Sequence, residues 1–385
     1  MNKKKILLLI CIVSGVILGT VAVLKLGMNG YGNSSVDTQE EWQVFSEGLA
    51  VHFIEDKCGY INNTGKWEIE PQFDRANNFS KNGMAAVCIG DKWGFIDKKG
   101  EVIIEPQFYS AYDFGSNGMA AVCVDNKWGF INEKGNMIVE SQFDEVNSFD
   151  ANGLAAVRME DKWGFINEKG NMIIEPQYES VKNLYADGIE AVRINGEWGL
   201  IDEKGNMIMN PELDSVSIFS PNGMAAVCIN DKWGYINKKG KMIIEPQFNV
   251  ANNFSYNKIA AVCIDDKWGF INEKGKMIIE PRFDKVYDFS YNEIAAVCID
   301  DKWGFINEKG KMIIESQFDA VINFSKNGMA AVRIEDKWGY INEEGKMIIE
   351  PQFFMATSFD SEGFAMVMIG KKTHFIDEKG NILTE

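Results

Sequence analysis

The chain has 385 residues, 46% of them hydrophobic and 25% charged, a composition that supports a buried core and argues against a disordered chain. Its net charge is −17, and the first 28 residues hold four lysines and no acid, leaving 35 basic against 56 acidic side chains beyond them. A surface that acidic repels phosphate backbones and anionic headgroups, so no nucleic acid is expected as a partner.

The N-terminus reads MNKKKILLLICIVSGVILGTVAVLK. Three lysines precede an uncharged, mostly apolar run over residues 6–24, long enough to cross a bilayer as one helix. Residues 1–27 therefore read as a membrane anchor, with the flanking lysines keeping the short side cytoplasmic and the remainder extracellular. A signal peptide cleaved after the small residues Thr20 and Ala22 is the alternative, which would make the protein secreted. Residues 28–41, polar and rich in Gly and Ser, read as a flexible spacer ahead of a domain over 42–385.

That domain is a repeat. Trp93, Trp128, Trp163, Trp198, Trp233, Trp268, Trp303 and Trp338 each precede a Gly and stand 35 residues apart. The same lattice lands on Cys58-Gly59 before them and Thr373-His374 after them, so the domain holds about ten units. Within a unit, MAAVCI (84–89) and KWGFI (92–96) flank Gly90-Asp91, a pair that tolerates the positive φ of a two-residue hairpin turn. Asp97 to Gly100 forms the next turn, and its final Gly recurs in all ten units, including Gly100 and Gly135. EVIIEPQF follows as a third strand, and SAYDF leads into the next unit. The expected fold is all-β: short antiparallel strands in tandem units, preceded by one transmembrane helix. An open superhelical or solenoid stack is favoured over a β-propeller, because ten blades is an unusual number and no strand is obviously shared across a closure.

The two-residue turn places Cys88 opposite Trp93, and the equivalent residue is Cys in four other units and Arg158, Arg193 or Arg333 in three. In the first unit the pair is Phe53 with Cys58, as if aromatic and thiol had exchanged places. One unit cannot bury enough apolar surface to order itself, so neighbours must cover one another, and the tryptophans are expected at these joints as structural residues. Gly94 lacks a side chain and so leaves room for a ring. Arg beside an indole requires its head in water, which makes Arg158, Arg193, Arg333 and Trp198 candidate binding residues. The end units lose the motif, as expected of caps with nothing beyond them.

KWGFINEKGxMIIEPQF, preceded by F-S-x-N-G-M-A-A-V, resembles the bacterial WG repeat over all ten units. The resemblance implies a β-repeat architecture and an interaction role, without a reaction or a ligand. The unit around Trp198 departs from it: Leu184-Tyr185 replaces Phe-Ser and Leu213 replaces Phe. It reads as either a seam between two halves or a specialised patch.

Catalytic residues, cofactors and metals are not expected. The only histidines, His52 and His374, lie in opposite end units, and the acidic residues recur once per unit, where a catalytic pair needs one special environment. Adjacent acids such as Asp265-Asp266 read as solvated turn residues rather than as a calcium site. The six cysteines beyond the anchor stand mostly in one register, too far apart to bridge, and are expected to be free and semi-buried. The function expected is that of a non-enzymatic, surface-anchored module binding protein partners. Recognition of cell-wall or host polysaccharide through aromatic rings is the first alternative, and an enzyme with its site around Trp198 the second.

Overall fold

A computed structural model of the chain describes residues 45–186 and 188–383. The anchor over 1–27, its transmembrane helix and the spacer over 28–41 lie outside the described residues. Within those described, the regular elements are all strands, gathered into ten antiparallel sheets. Eight sheets have four strands in chain order. In the second unit these are Arg75–Ala76, Met84–Ile89, Lys92–Asp97 and Val102–Phe108. The first sheet has Leu49–Ile54, Lys57–Asn62 and Trp67–Phe73; the last has Met355–Ala356, Phe364–Ile369 and Lys372–Asp377.

The turns follow from their residues. Asp125 and Asn126 adopt φ of 49° and 61°, the paired left-handed conformation of a two-residue hairpin turn. The register this imposes is Cys88 opposite Trp93 and Ala86 opposite Phe95. The next turn closes with Gly100 N–H donating to the Asp97 carbonyl at 3.0 Å, while the Asp97 carboxylate accepts from Lys99 and Glu101 N–H. An Asp or Asn must therefore open this turn, and every described unit has one. Before the second strand, a Gly such as Gly83 (φ 79°) occupies a left-handed position that Lys258 (φ 66°) and Glu293 (φ 61°) hold in units seven and eight. A residue with a Cβ there costs about 1 kcal/mol. Lys258→Gly is accordingly expected to stabilise the protein by about 1 kcal/mol in urea denaturation.

The motif Gly serves a purpose different from the one its sequence suggests. Trp93 pairs with Phe108 and Phe95 with Ile104, so four residues of the fourth strand bulge past two of the third. A Cβ on Gly94 would stand 2.5 Å from the Ile104 carbonyl oxygen and 2.7 Å from the Pro106 nitrogen. Backbone, not a ring, fills the space at Gly94. Pro is tolerated at the bulge because no ladder donor is needed there.

The units close into a ten-blade β-propeller, which corrects the open stack favoured from sequence. Between successive blades a Phe from the segment ahead of the second strand enters the blade before it: Phe114 lies 4.8 Å from Phe95, Phe254 4.7 Å from Tyr235, and Phe324 4.8 Å from Phe305. Phe45, in the first unit, makes the same contact with the last, 5.8 Å from Phe375 and 4.9 Å from Phe364. Turn glycines repeat the lesson. Gly100 packs on Ile69 of the blade before, and Gly65 of the first unit packs on Leu383 of the last. Phe45, Ala50, Ile61, Met366 and Phe375 share one buried cluster. The end units are atypical because they meet each other, not because nothing lies beyond them.

Polar ladders tie the same joints. Asn82, Asn117 and Asn327 donate to Glu133, Glu168 and Glu378 of the following blade at 3.0–3.1 Å. Between the first two blades the polarity reverses, with Lys98 paired to Glu47 at 2.7 Å. The departing unit keeps the joint by different means. Leu184, Leu200 and Leu213 are fully buried where other units carry aromatic rings, and the Leu184 carbonyl accepts from Phe219 N–H at 3.1 Å.

Candidate binding surface

Each indole stands third of four across its sheet, between a Cys or Arg on the second strand and an aromatic or Leu on the fourth: Cys228–Trp233–Phe248, Arg158–Trp163–Tyr178 and Arg193–Trp198–Leu213. Trp93 is 9% exposed; Trp128, Trp163, Trp198, Trp233, Trp268, Trp303 and Trp338 are half-buried. They border the clusters that join blades. Trp233, for instance, packs against a group running from Met224 to Ile271. The phenyl pairs described above occupy the middle of those clusters, a role the sequence had suggested for indole.

The outer side of several indoles carries a lid that changes from blade to blade. Arg193 and Arg333 place their guanidinium groups over Trp198 and Trp338, each 5.9 Å from the ring centre. Arg158 turns instead to Glu145 at 2.5 Å and to Asp161 at 3.7 Å. Tyr287 stacks on Trp303 at 4.9 Å with 14° between the planes, and Tyr112 lies 4.8 Å from Trp128. Arg75, reaching from the first strand, lies 5.2 Å from Trp93 and 3.6 Å from the Cys88 thiol. Sequence reasoning missed Arg75, Tyr112 and Tyr287 because it paired only the hairpin and left the two-residue first strand out of register.

A second variable surface lies at the turns ahead of the second strand. Tyr256 and Tyr291, each 45% exposed, lie 4.7 Å apart with their planes tilted by 31°, and the Lys326 ammonium lies 4.4 Å from the Tyr291 ring. The same turn position holds Lys81, Ser116, Ala151 and Pro221 in other units.

The remaining chemistry is that of a scaffold. Asp74, Asp144, Asp284 and Asp319 each pair with a Lys at 2.5–2.6 Å, and that hydrogen bond holds their carboxyls below the usual range. The six described cysteines are free and buried, deeper than expected; burial pushes the Cys58 thiol up to about 12. Phe53, opposite Cys58, is 40% exposed, so aromatic and thiol have not traded burial. In the departing unit, Arg193 donates to the Gly196 carbonyl at 2.9 Å. The feature there that sequence reading passed over is Glu190, 6% exposed in a register that is Ala elsewhere. Among the described residues no three His, Cys, Asp or Glu side chains gather as a metal site, and no helix is long and apolar enough to cross a membrane.

Tandem four-stranded sheets closed into a ring define a β-propeller. The model of the WG containing repeat matches nine consecutive stretches, from 59–93 to 338–372, and the chain belongs to that family. No curated protein matches the sequence. Among solved structures, the fold is similar to one described as the eukaryotic initiation factor, with a TM-score of 0.50 and 9% identity over 78% of this chain and 94% of that one. It is also similar to Hsv2p of Kluyveromyces lactis, with a TM-score of 0.35 and 12% identity over 70% and 96%. Identities this low speak to fold alone.

Proposed function

We propose that the protein is a non-enzymatic binding and scaffolding module that presents its propeller outside the cell, held at the membrane through residues 6–24, and that its partner is a protein. The observation that carries this reading is the variation of the surface around an invariant frame. Trp, turn Gly and Phe are consumed by the joints, while the groups that cover or flank them differ between blades: Arg75, Tyr112, Arg193, Tyr287, Arg333. A polymer of identical sugars is read best by identical contacts at each step. A surface that changes every 35 residues suits a folded partner with its own irregular relief.

Polysaccharide binding is the second reading, favoured by the exposed Tyr256–Tyr291 pair. Titrating the protein with soluble cell-wall polysaccharide while following Trp and Tyr fluorescence separates the two. No spectral response, together with site-specific crosslinking from position 193 or 333 to a surface protein on intact cells, is expected. A saturable response abolished by Tyr256→Ala would replace the first reading by the second.

A further inference from the structure

From the third blade to the ninth, the fourth strand opens with a methionine, as in Met137–Phe143 and Met347–Phe353. Met137, Met172, Met242, Met277, Met312 and Met347 are half-buried, and each packs against the cluster that joins its own blade to the one before. Met207, in the departing unit, is 41% exposed instead. Among the described residues the cluster joining the first two blades holds no methionine, and Val102 stands in the register there. The same six clusters each carry the indole of the preceding blade: Trp268 shares one with Met312, and Trp303 another with Met347.

A thioether suits such a place while it stays a thioether. Met312 lies opposite the fully buried Ile306, in a cluster otherwise built of aliphatic and aromatic side chains. Its sulfoxide carries a polar oxygen into that surrounding, where a group without a hydrogen-bond partner is disfavoured. The residues that usually react first with an oxidant are withheld: the six described cysteines are 0–7% exposed, and burial pushes the Cys263 and Cys298 thiols up, away from the reactive thiolate. A thioether needs no deprotonation, and these six reach the surface in part.

We propose that the six methionines make the joints they border responsive to peroxide, loosening the propeller there when the thioethers become sulfoxides. In the step, the sulfur gives an electron pair to one peroxide oxygen and the O–O bond breaks. The second oxygen leaves as water, taking the proton released from the first. The sulfur is oxidised by two electrons and the peroxide reduced by two. Because the indoles border the same clusters, the surface around them changes with the joints. Loosening is observed without any partner, so its failure is separable from failure of the binding reading.

Treatment of the full chain with hydrogen peroxide at neutral pH, followed by peptide mass spectrometry and amide hydrogen exchange, tests the proposal. Met277 and Met312 are expected to gain one oxygen each while the buried Met84, Met224 and Met329 and the described cysteines are still unmodified. Strand Ile259–Ile264, which lies between the joints of Met277 and Met312, is then expected to lose protection several-fold more than strand Lys57–Asn62 of the first blade. Met277→Leu with Met312→Leu conserves side-chain volume, and is expected to keep Ile259–Ile264 protected through the same treatment. Thiols that react first, equal loss in both strands, full protection after both sulfoxides have formed, or loss that persists in the double variant would each overturn the proposal.

Discussion

Replacing Glu190 by Ala is expected to make the protein more stable, and the gain grows with pH. Glu190 is 6% exposed on the second strand of the fifth blade, paired with Asn183 on one side and Ile201 on the other. Burial first, and then the nearby Asp150 carboxylate, pushes its carboxyl up to about 8. In the unfolded chain it releases its proton near 4.5. Below that pH both states are protonated and the group is neutral to folding. Between the two values the unfolded state gains stability from ionising while the folded state does not, so stability falls as pH rises and levels off above about 8. The difference is on the order of 4 kcal/mol at alkaline pH. Ala fills this register, fully buried, at Ala155, Ala225 and Ala260, so the replacement leaves no unfamiliar packing. Urea midpoints of the two proteins should coincide at pH 4.5 and separate progressively to pH 9. Parallel curves across that range would place the Glu190 carboxylate in water.

How much of this was legible in the sequence depended on the distance over which each contact acts. The hairpin register from Cys88 to Trp93 follows from a two-residue turn and needs no knowledge of the rest of the chain. The turn over Asp97 to Gly100 is equally local. Closure is not, because it depends on a small rotation added ten times, and no residue encodes it. Nothing local to Phe45 points to its partner Phe375, which only the closed ring supplies. The bulge that passes backbone over Gly94 also escaped, since Pro106 and Gly94 carry the signal separately and neither states where the strand crosses. Among the candidate binding residues, Arg193 and Arg333 could be placed beside their indoles from register alone, whereas the preference of Arg158 for Glu145 required the first strand to be in place. The fifth unit was recognised as different by its leucines, yet its most consequential departure was one buried Glu.

Phe305→Ala is expected to cost 3–5 kcal/mol, more than Trp303→Ala two residues away in the same strand. Phe305 is fully buried, 4.8 Å from Phe324 of the next blade, in a cluster that runs across the joint from Ile294 to Ile341. Removing it leaves a cavity that two rigid sheets cannot collapse into, because their spacing is held by seven-residue fourth strands and by pairs such as Asn292 with Glu343. Trp303 is larger but half-buried, with Tyr287 stacked on one side, so Ala there exposes surface already in partial contact with water and should cost roughly half as much. Urea denaturation of the two variants, with Phe324→Ala and the double replacement of Phe305 and Phe324 to measure coupling, distinguishes the roles. The double replacement should cost less than the sum of the two singles, because each has already lost the same contact. If Trp303→Ala proves the costlier, the indole rather than the phenyl pair is what joins one blade to the next. The variable lids over the tryptophans would then belong to the joints, and recognition would have to be sought elsewhere on the ring.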